Sequence, residues 1–281
     1  MSSLRKVISK LFDFLIFTST FISACASLMT YQVIKIFRLE YNYSHFYYFV
    51  FFATVTAYNF HWYFTNDSQS DKSRTQWSFK NRKIHLLFFI IGLIGSTYQF
   101  ISLSHYFIPI LISILLAFFY TAPKIPVWIF KHLKKVASGK TLYLTLTWVY
   151  VTTILPLLLH TELGIENYIY FILHRFFYIY PICILFDYRD RESDKEQGIK
   201  TFLNYYNERM VDFVFFASNT LCIFFTTIHL INTPFEIKSI ALYAPSVILL
   251  LIYRSSKQWK SDYLYYFFLD GLLALPVISV L

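Results

Sequence analysis

Apolar residues along this chain gather into long runs, and polar and basic residues gather into the connections between them. A membrane-crossing helix needs about 20 mostly apolar residues. Nine stretches meet that need: 11–35, 43–64, 84–103, 105–122, 141–160, 166–186, 211–231, 236–253 and 263–281. The third and fourth meet at Ser104-His105, where one continuous helix would be about twice the bilayer thickness, so a tight helical hairpin is expected. Pro109, Pro156 and Pro181 fall inside runs, which is tolerable where neighbouring helices satisfy the freed backbone groups. The pattern predicts an all-α, polytopic membrane protein with nine transmembrane helices, residues 1–281 forming a single transmembrane domain. Asp13 early in the first run, and the many runs after it, favour a retained helix over a cleaved leader.

Composition agrees: 57% of residues are hydrophobic, 22% aromatic and 15% charged, which suits lipid rather than water. The net charge of +9 raises nucleic acid as a partner, but its distribution removes the need for one. With the N-terminus cytoplasmic, 21 of the 25 Lys and Arg residues fall in the N-terminal segment and in the loops after helices 2, 4, 6 and 8. Only Lys35, Arg38 and Lys238 fall outside, and Arg175 lies within the sixth run. The charge is thus a matter of topology and of contact with anionic lipid and phosphate. Cys25, Cys183 and Cys222 all sit in apolar runs without a C-x-x-C pair, so neither a disulfide framework nor a zinc site is indicated.

The candidate chemistry lies at Phe186–Thr201, FDYRDRESDKEQGIKT, where an apolar run ends in carboxylates. Asp187, Asp190 and Asp194 are spaced i, i+3, i+7 and share one helical stripe, where they repel one another unless a cation sits among them. Hard oxygen ligands suit Mg²⁺, which commonly bridges one or two carboxylates to substrate phosphates. Arg189, Arg191, Lys195 and Lys200 are interleaved, so an anionic phosphate would meet positive charge beside the metal. The plainer alternative is a solvated loop at a membrane edge.

This stretch resembles the second aspartate-rich motif of the UbiA-type membrane prenyltransferases, D-x-x-D-x-x-x-D followed by G-x-K-T, here Asp187, Asp190, Asp194, Gly198, Lys200 and Thr201. The Pro usual after that motif is replaced by Leu203. The alternation of cytoplasmic loops matches the family's architecture too, so the resemblance spans nearly the whole chain and implies a UbiA-like bundle. It further implies a first motif, N-D-x-x-D-x-x-x-D, closing the second helix and holding Mg²⁺ and a prenyl diphosphate together with the second. Here that motif is degraded. One register sets Asn59 at the family Asn, with Phe60 and Tyr63 replacing Asp and His61 a possible polar substitute; another uses Asn66, Asp67 and Asp71 in the loop. Tyr120-Thr121-Ala122-Pro123-Lys124 resembles the family's Y-[ST]-x-P connection.

The resemblance implies Mg²⁺-dependent transfer of a prenyl group from its diphosphate to an aromatic or other lipophilic acceptor. Asp187, Asp190 and Asp194 are the expected metal ligands, assisted by Asn59, with Asp67 and Asp71 as further candidates. Arg74, Lys124, Lys200 and Tyr120 are expected at the diphosphate. The alternative function is a non-catalytic relative that binds an isoprenoid lipid or a protein partner, which the degraded motif favours. Arg175 inside the sixth run needs a buried partner, and Asp270 is the one the sequence offers.

Overall fold

The computed structural model describes residues 3–39, 43–65, 73–125, 139–160, 164, 168–196, 201–233, 237–259 and 261–281, and every element among them is helical. Leaving aside the single turn Phe202–Tyr205, in chain order these are α1 (Ser3–Phe17), α2 (Thr20–Ile36), α3 (Tyr43–Tyr63), α4 (Ser73–Lys80) and α5 (Arg82–Ser102). Then follow α6 (Ser104–Lys124), α7 (Lys140–Leu158), α8 (Ile169–Glu196), α9 (Glu208–Ile231), α10 (Ile237–Gln258) and α11 (Leu264–Val280). The expected α5–α6 hairpin is present, with buried Leu103 as its joint.

Six helices, α5 to α10, are long and apolar enough to cross a membrane, and the bent pair α1–α2 makes up to seven. The nine expected spans are therefore reached only if α3 and α11 are added. α3 has the length, 21 residues, but tyrosines, threonines, two histidines and Asn59 dilute its apolar character. α11 is among the shorter apolar helices, and it carries Asp270.

The first run, expected to be one helix, breaks at Ser19, whose φ of 63° is left-handed, and the axis turns by 60° there. A non-glycine residue in that region costs about 1–2 kcal/mol, so its surroundings must hold it. They do: the Ser19 carbonyl accepts from Ser23 Oγ at 2.8 Å, and its hydroxyl accepts from an Arg74 guanidinium N–H at 2.8 Å. The Thr18 carbonyl at the same break accepts from Asn59 Nδ2 at 2.9 Å.

α3 and α5 lie against each other because α5 carries glycines at the contact. A Cβ added at Gly92 would stand 2.5 Å from Thr56 Oγ1 and 2.9 Å from the Phe52 carbonyl oxygen, and one at Gly95 would meet the Phe52 ring at 2.5 Å. Small residues of this kind let membrane helices approach closely. In α7 a π turn over Tyr150–Ile154 precedes Pro156, the local widening that accommodates a residue without an N–H.

α8 is the core helix. Its 28 residues rise about 42 Å, more than the hydrocarbon layer needs, so the turns after Phe186 carry the acidic stripe beyond the apolar portion. Tyr178, Ile179, Ile182, Ile184 and Leu185 on it are almost fully enclosed.

Candidate functional site

On α8 the three carboxylates share one face, and each already has a donor. Asp187 is buried and accepts from the Thr141 hydroxyl. Asp194, also buried, pairs with Lys140 Nζ at 3.0 Å. Asp190 is half-buried and takes two N–H groups of Arg189, each at 2.9 Å. Lys140 and Thr141 open α7, whose first turn therefore lies against the stripe. The repulsion inherent in the i, i+3, i+7 spacing is thus relieved by the chain's own cations. Among the described residues no group of three His, Cys, Asp or Glu side chains is gathered closely enough to hold a metal by itself. A Mg²⁺ ion asks less, commonly one or two carboxylates with substrate phosphates and water completing its shell. Asp187 and Asp190, one helical turn apart on one face, meet that smaller requirement.

The second wall is the end of α3 with the end of α6. Tyr120 stacks on His61 with ring centroids 5.2 Å apart, and His61 Nδ1 lies 3.3 Å from Thr121 Oγ1. Lys124 Nζ donates to Thr65 Oγ1 at 2.7 Å and sits 5.6 Å from the Trp62 ring. This wall faces the stripe: Asp190 and Asp194 are within electrostatic reach of Lys124, and Lys140, Asp187 and Asp190 within reach of Tyr120.

Behind this wall runs a cavity of about 480 Å³ between α3, α5, α6 and α7, almost wholly apolar and rich in aromatic side chains. His61, Tyr120 and Thr121 line its polar end, and Phe49, Phe100 and Phe107 line the far end. His61 to Phe49 is twelve residues of helix, so the cavity extends about 18 Å into the bundle.

Several expected residues lie elsewhere. Asn59 is fully buried and has no amide atom left for a metal: Nδ2 donates to the Thr18 and Val55 carbonyls, and Oδ1 faces His85 Nδ1 at 2.8 Å. Because Nδ2 is fixed by two carbonyls, Oδ1 is the acceptor and His85 the donor. Two residues further on the helix has turned about 200°, which is why His61 and not Asn59 faces the cavity. Arg74 is enclosed rather than presented to a ligand: its guanidinium lies 3.9 Å from the Tyr266 ring centroid and 4.4 Å from that of Trp62. Its backbone N–H donates to Asp262 at 2.7 Å. Burial lowers the Arg74 pKa from its ordinary value, and the charges of Tyr266 and Asp270 act against that shift. Arg175 does not pair with Asp270. It donates to Gln32 Oε1 at 2.7 Å, while Asp270 lies within reach of the charges on Arg74 and Arg189. Asp67, Asp71 and Lys200 fall outside the described residues.

Sequence reasoning passed over Lys140, Thr141, Asp262 and His85 as site residues. For Lys140 and Thr141 the only signal was their place at the start of a run, and for Asp262 and His85 there was none.

No family model matches the sequence, and no curated protein matches it. Solved structures do. One is a UbiA homolog from Archaeoglobus fulgidus bound to GPP and Mg²⁺, similar over 95% of this chain and 97% of that one, with a TM-score of 0.68 at 15% identity. The fold is that of the UbiA homologs. A second structure of a UbiA homolog from the same organism, bound to Cd²⁺, covers 95% of this chain and 98% of that one, with a TM-score of 0.59 and 15% identity. The architecture expected from the aspartate motif is thus found over nearly the whole chain, and it goes with a multi-pass membrane protein.

Proposed function

We propose that this chain transfers a prenyl group from a prenyl diphosphate to an aromatic or other lipophilic acceptor within the membrane. The observation that carries the reading is the meeting of a charged site with an apolar cavity. The Asp187–Asp194 stripe and its lysines face the polar end of an aromatic-lined space of about 480 Å³. Few ligands other than a diphosphate with a long apolar tail need both. The solved UbiA homolog bound to GPP and Mg²⁺ supports the same class of ligand.

In this reading the tail lies in the cavity and the diphosphate lies between the stripe and Lys124. Asp187 and Asp190 would hold Mg²⁺, which when bound neutralises charge on the departing diphosphate. The carbon–oxygen bond to the diphosphate breaks with its electron pair going to oxygen, and Lys124 and Lys140 stabilise the charge that develops there. The allylic cation left behind is kept from water by the apolar walls, and ring faces such as Tyr58 and Phe60 stabilise it. The acceptor forms the new bond, and the proton it sheds passes to the departed diphosphate. In this reading the N-terminus and the loops after α3, α6, α8 and α10 lie in the cytoplasm, so the diphosphate enters from that side.

The second reading is a non-catalytic relative that holds an isoprenoid lipid. The end of α3 favours it, since Phe60, Tyr63 and a committed Asn59 stand where carboxylates and a free amide would help ionisation. A turnover assay of the purified protein, with Mg²⁺, prenyl diphosphates of several lengths and a panel of aromatic acceptors, separates the two. Product is expected, and Asp190→Asn should lower its rate about 10²-fold, the usual cost of losing one charge-stabilising group. Binding of the diphosphate without product would favour the lipid-binding relative.

A further inference from the structure

α1 turns an apolar stripe away from the bundle. Val7, Ile8, Leu11 and Leu15 are 60, 58, 60 and 41% exposed, and on a helix they share an arc of about 100°. Arg5 and Lys10, also exposed, flank that arc on either side, while Ser9 and Asp13 lie opposite it. Other residues hold α1 in place. The Phe12 ring stands 4.7 Å from that of Phe267 and the Phe17 ring 5.6 Å from that of Trp77, and Asp13 accepts from the Tyr263 hydroxyl. Crossing the bilayer does not require α1, because the 17 residues of α2 rise about 25 Å by themselves. The 60° bend between the two helices is level with the polar end of the cavity, since the Thr18 carbonyl there accepts from Asn59, two residues before His61.

We propose that α1 is a docking surface for anionic lipid: it lies in the membrane interface at the site end of the bundle, its stripe in the acyl boundary and its flanking cations on anionic headgroups. An amphipathic basic helix binds such a surface through buried apolar area and through charge together. Arg5 and Lys10 stand where long stems can run along the lipid while their charged ends reach the headgroups. Exposed Lys80 on α4 and Lys83 on α5 add charge at the same end, where Trp77 and Phe88 of those helices meet Phe14 of α1. A second copy of this chain is a poorer occupant. It would bring the same basic flanks against these, and like charges would oppose the contact, whereas anionic headgroups complement them. The docked helix fixes the height of the Ser19 bend, and with it the polar end of the cavity, against the lipid surface.

The test measures depth along α1 in the full chain, held in nanodiscs of phosphatidylcholine with phosphatidylglycerol. Val7→Cys, Ile8→Cys, Ser9→Cys, Lys10→Cys, Leu11→Cys and Leu15→Cys are made singly and spin-labelled, the native cysteines being buried. All six positions are exposed, so no single misfolded variant decides the profile. Collisions with oxygen and with a water-soluble nickel chelate give each label's depth. Labels at 7, 8, 11 and 15 should share one depth, about 5–10 Å below the headgroups, with 9 and 10 at the water side. A helix crossing the bilayer would instead deepen steadily, by about 12 Å from residue 7 to residue 15, and such a ramp would overturn the proposal. So would a stripe fully open to the chelate, or one shielded from both reagents, the mark of a protein contact. Headgroup charge is read separately at residue 11. Chelate access there should rise about fivefold when phosphatidylglycerol is omitted, and likewise when Arg5→Gln and Lys10→Gln are combined, the order expected for basic residues at an anionic surface. Equal access in both lipids would refute the anionic-lipid assignment.

Discussion

Asn59 illustrates how a residue in the right sequence position takes up a different task. Its amide joins the broken end of α1 to α3 through the Thr18 carbonyl, and it joins α3 to α5 through His85. The left-handed Ser19 makes that break, and Arg74 secures it from the other side. Replacing Asn59 with Ala strands a buried carbonyl and a histidine N–H. Asn59→Ala should therefore lower stability by about 1–3 kcal/mol, read as a fall in thermal unfolding temperature, with GPP affinity unchanged. Loss of affinity at unchanged stability would instead make Asn59 a ligand. The acidic triplet differs in that its helical spacing alone puts Asp187, Asp190 and Asp194 on one face. The donors that meet them on that face, Thr141 and Lys140, come from a helix some fifty residues away, and only the packing of α7 on α8 selects them.

At the scale of elements, the cavity depends on the way α3 and α5 share one wall. Gly92 lets the Phe52 backbone and the Thr56 hydroxyl close on α5, and a methyl group there would meet backbone atoms at 2.9 Å that cannot swing aside. Gly92→Ala should cost about 1–3 kcal/mol as overpacking and push α5 away from α3. Thermal unfolding, with and without GPP, would register both the lost stability and any change in the cavity. An unchanged unfolding temperature would mean that the two helices separate freely. α7 offers a contrasting device, because its π turn absorbs Pro156 without a break and keeps Lys140 and Thr141 continuous with the membrane-buried part of the helix.

For the molecule as a whole, the basic loops lead to the expectation that the connection after α3 and the end of α8 lie on one side of the membrane, as the proposed diphosphate site between them requires. Exposed Lys80 and Lys195 stand on these two segments. Lys80→Cys and Lys195→Cys, made singly in the otherwise native chain, should react with an impermeant thiol reagent from the same face only. Labelling from opposite faces would remove both the orientation and the site. The three native cysteines are buried and give little background.

What the sequence determined by itself follows from local rules. Apolar run length marks out the six helices, α5 to α10, that are long and apolar enough to cross a bilayer, lysine and arginine counts set the expected orientation, and the helical repeat sets the acidic stripe, since none of these needs a distant partner. Tertiary structure decided the rest. It bent the first run at Ser19 and turned Asn59 inward, gave Arg175 to Gln32 rather than to Asp270, and enclosed Arg74 between Trp62 and Tyr266. It also placed Lys140 among the carboxylates and Lys124 opposite them. Each of these is a choice of partner for a buried polar group. Desolvation makes an unpaired group costly, so the pairing goes to whichever group the packed helices bring within reach, and sequence distance carries no trace of it.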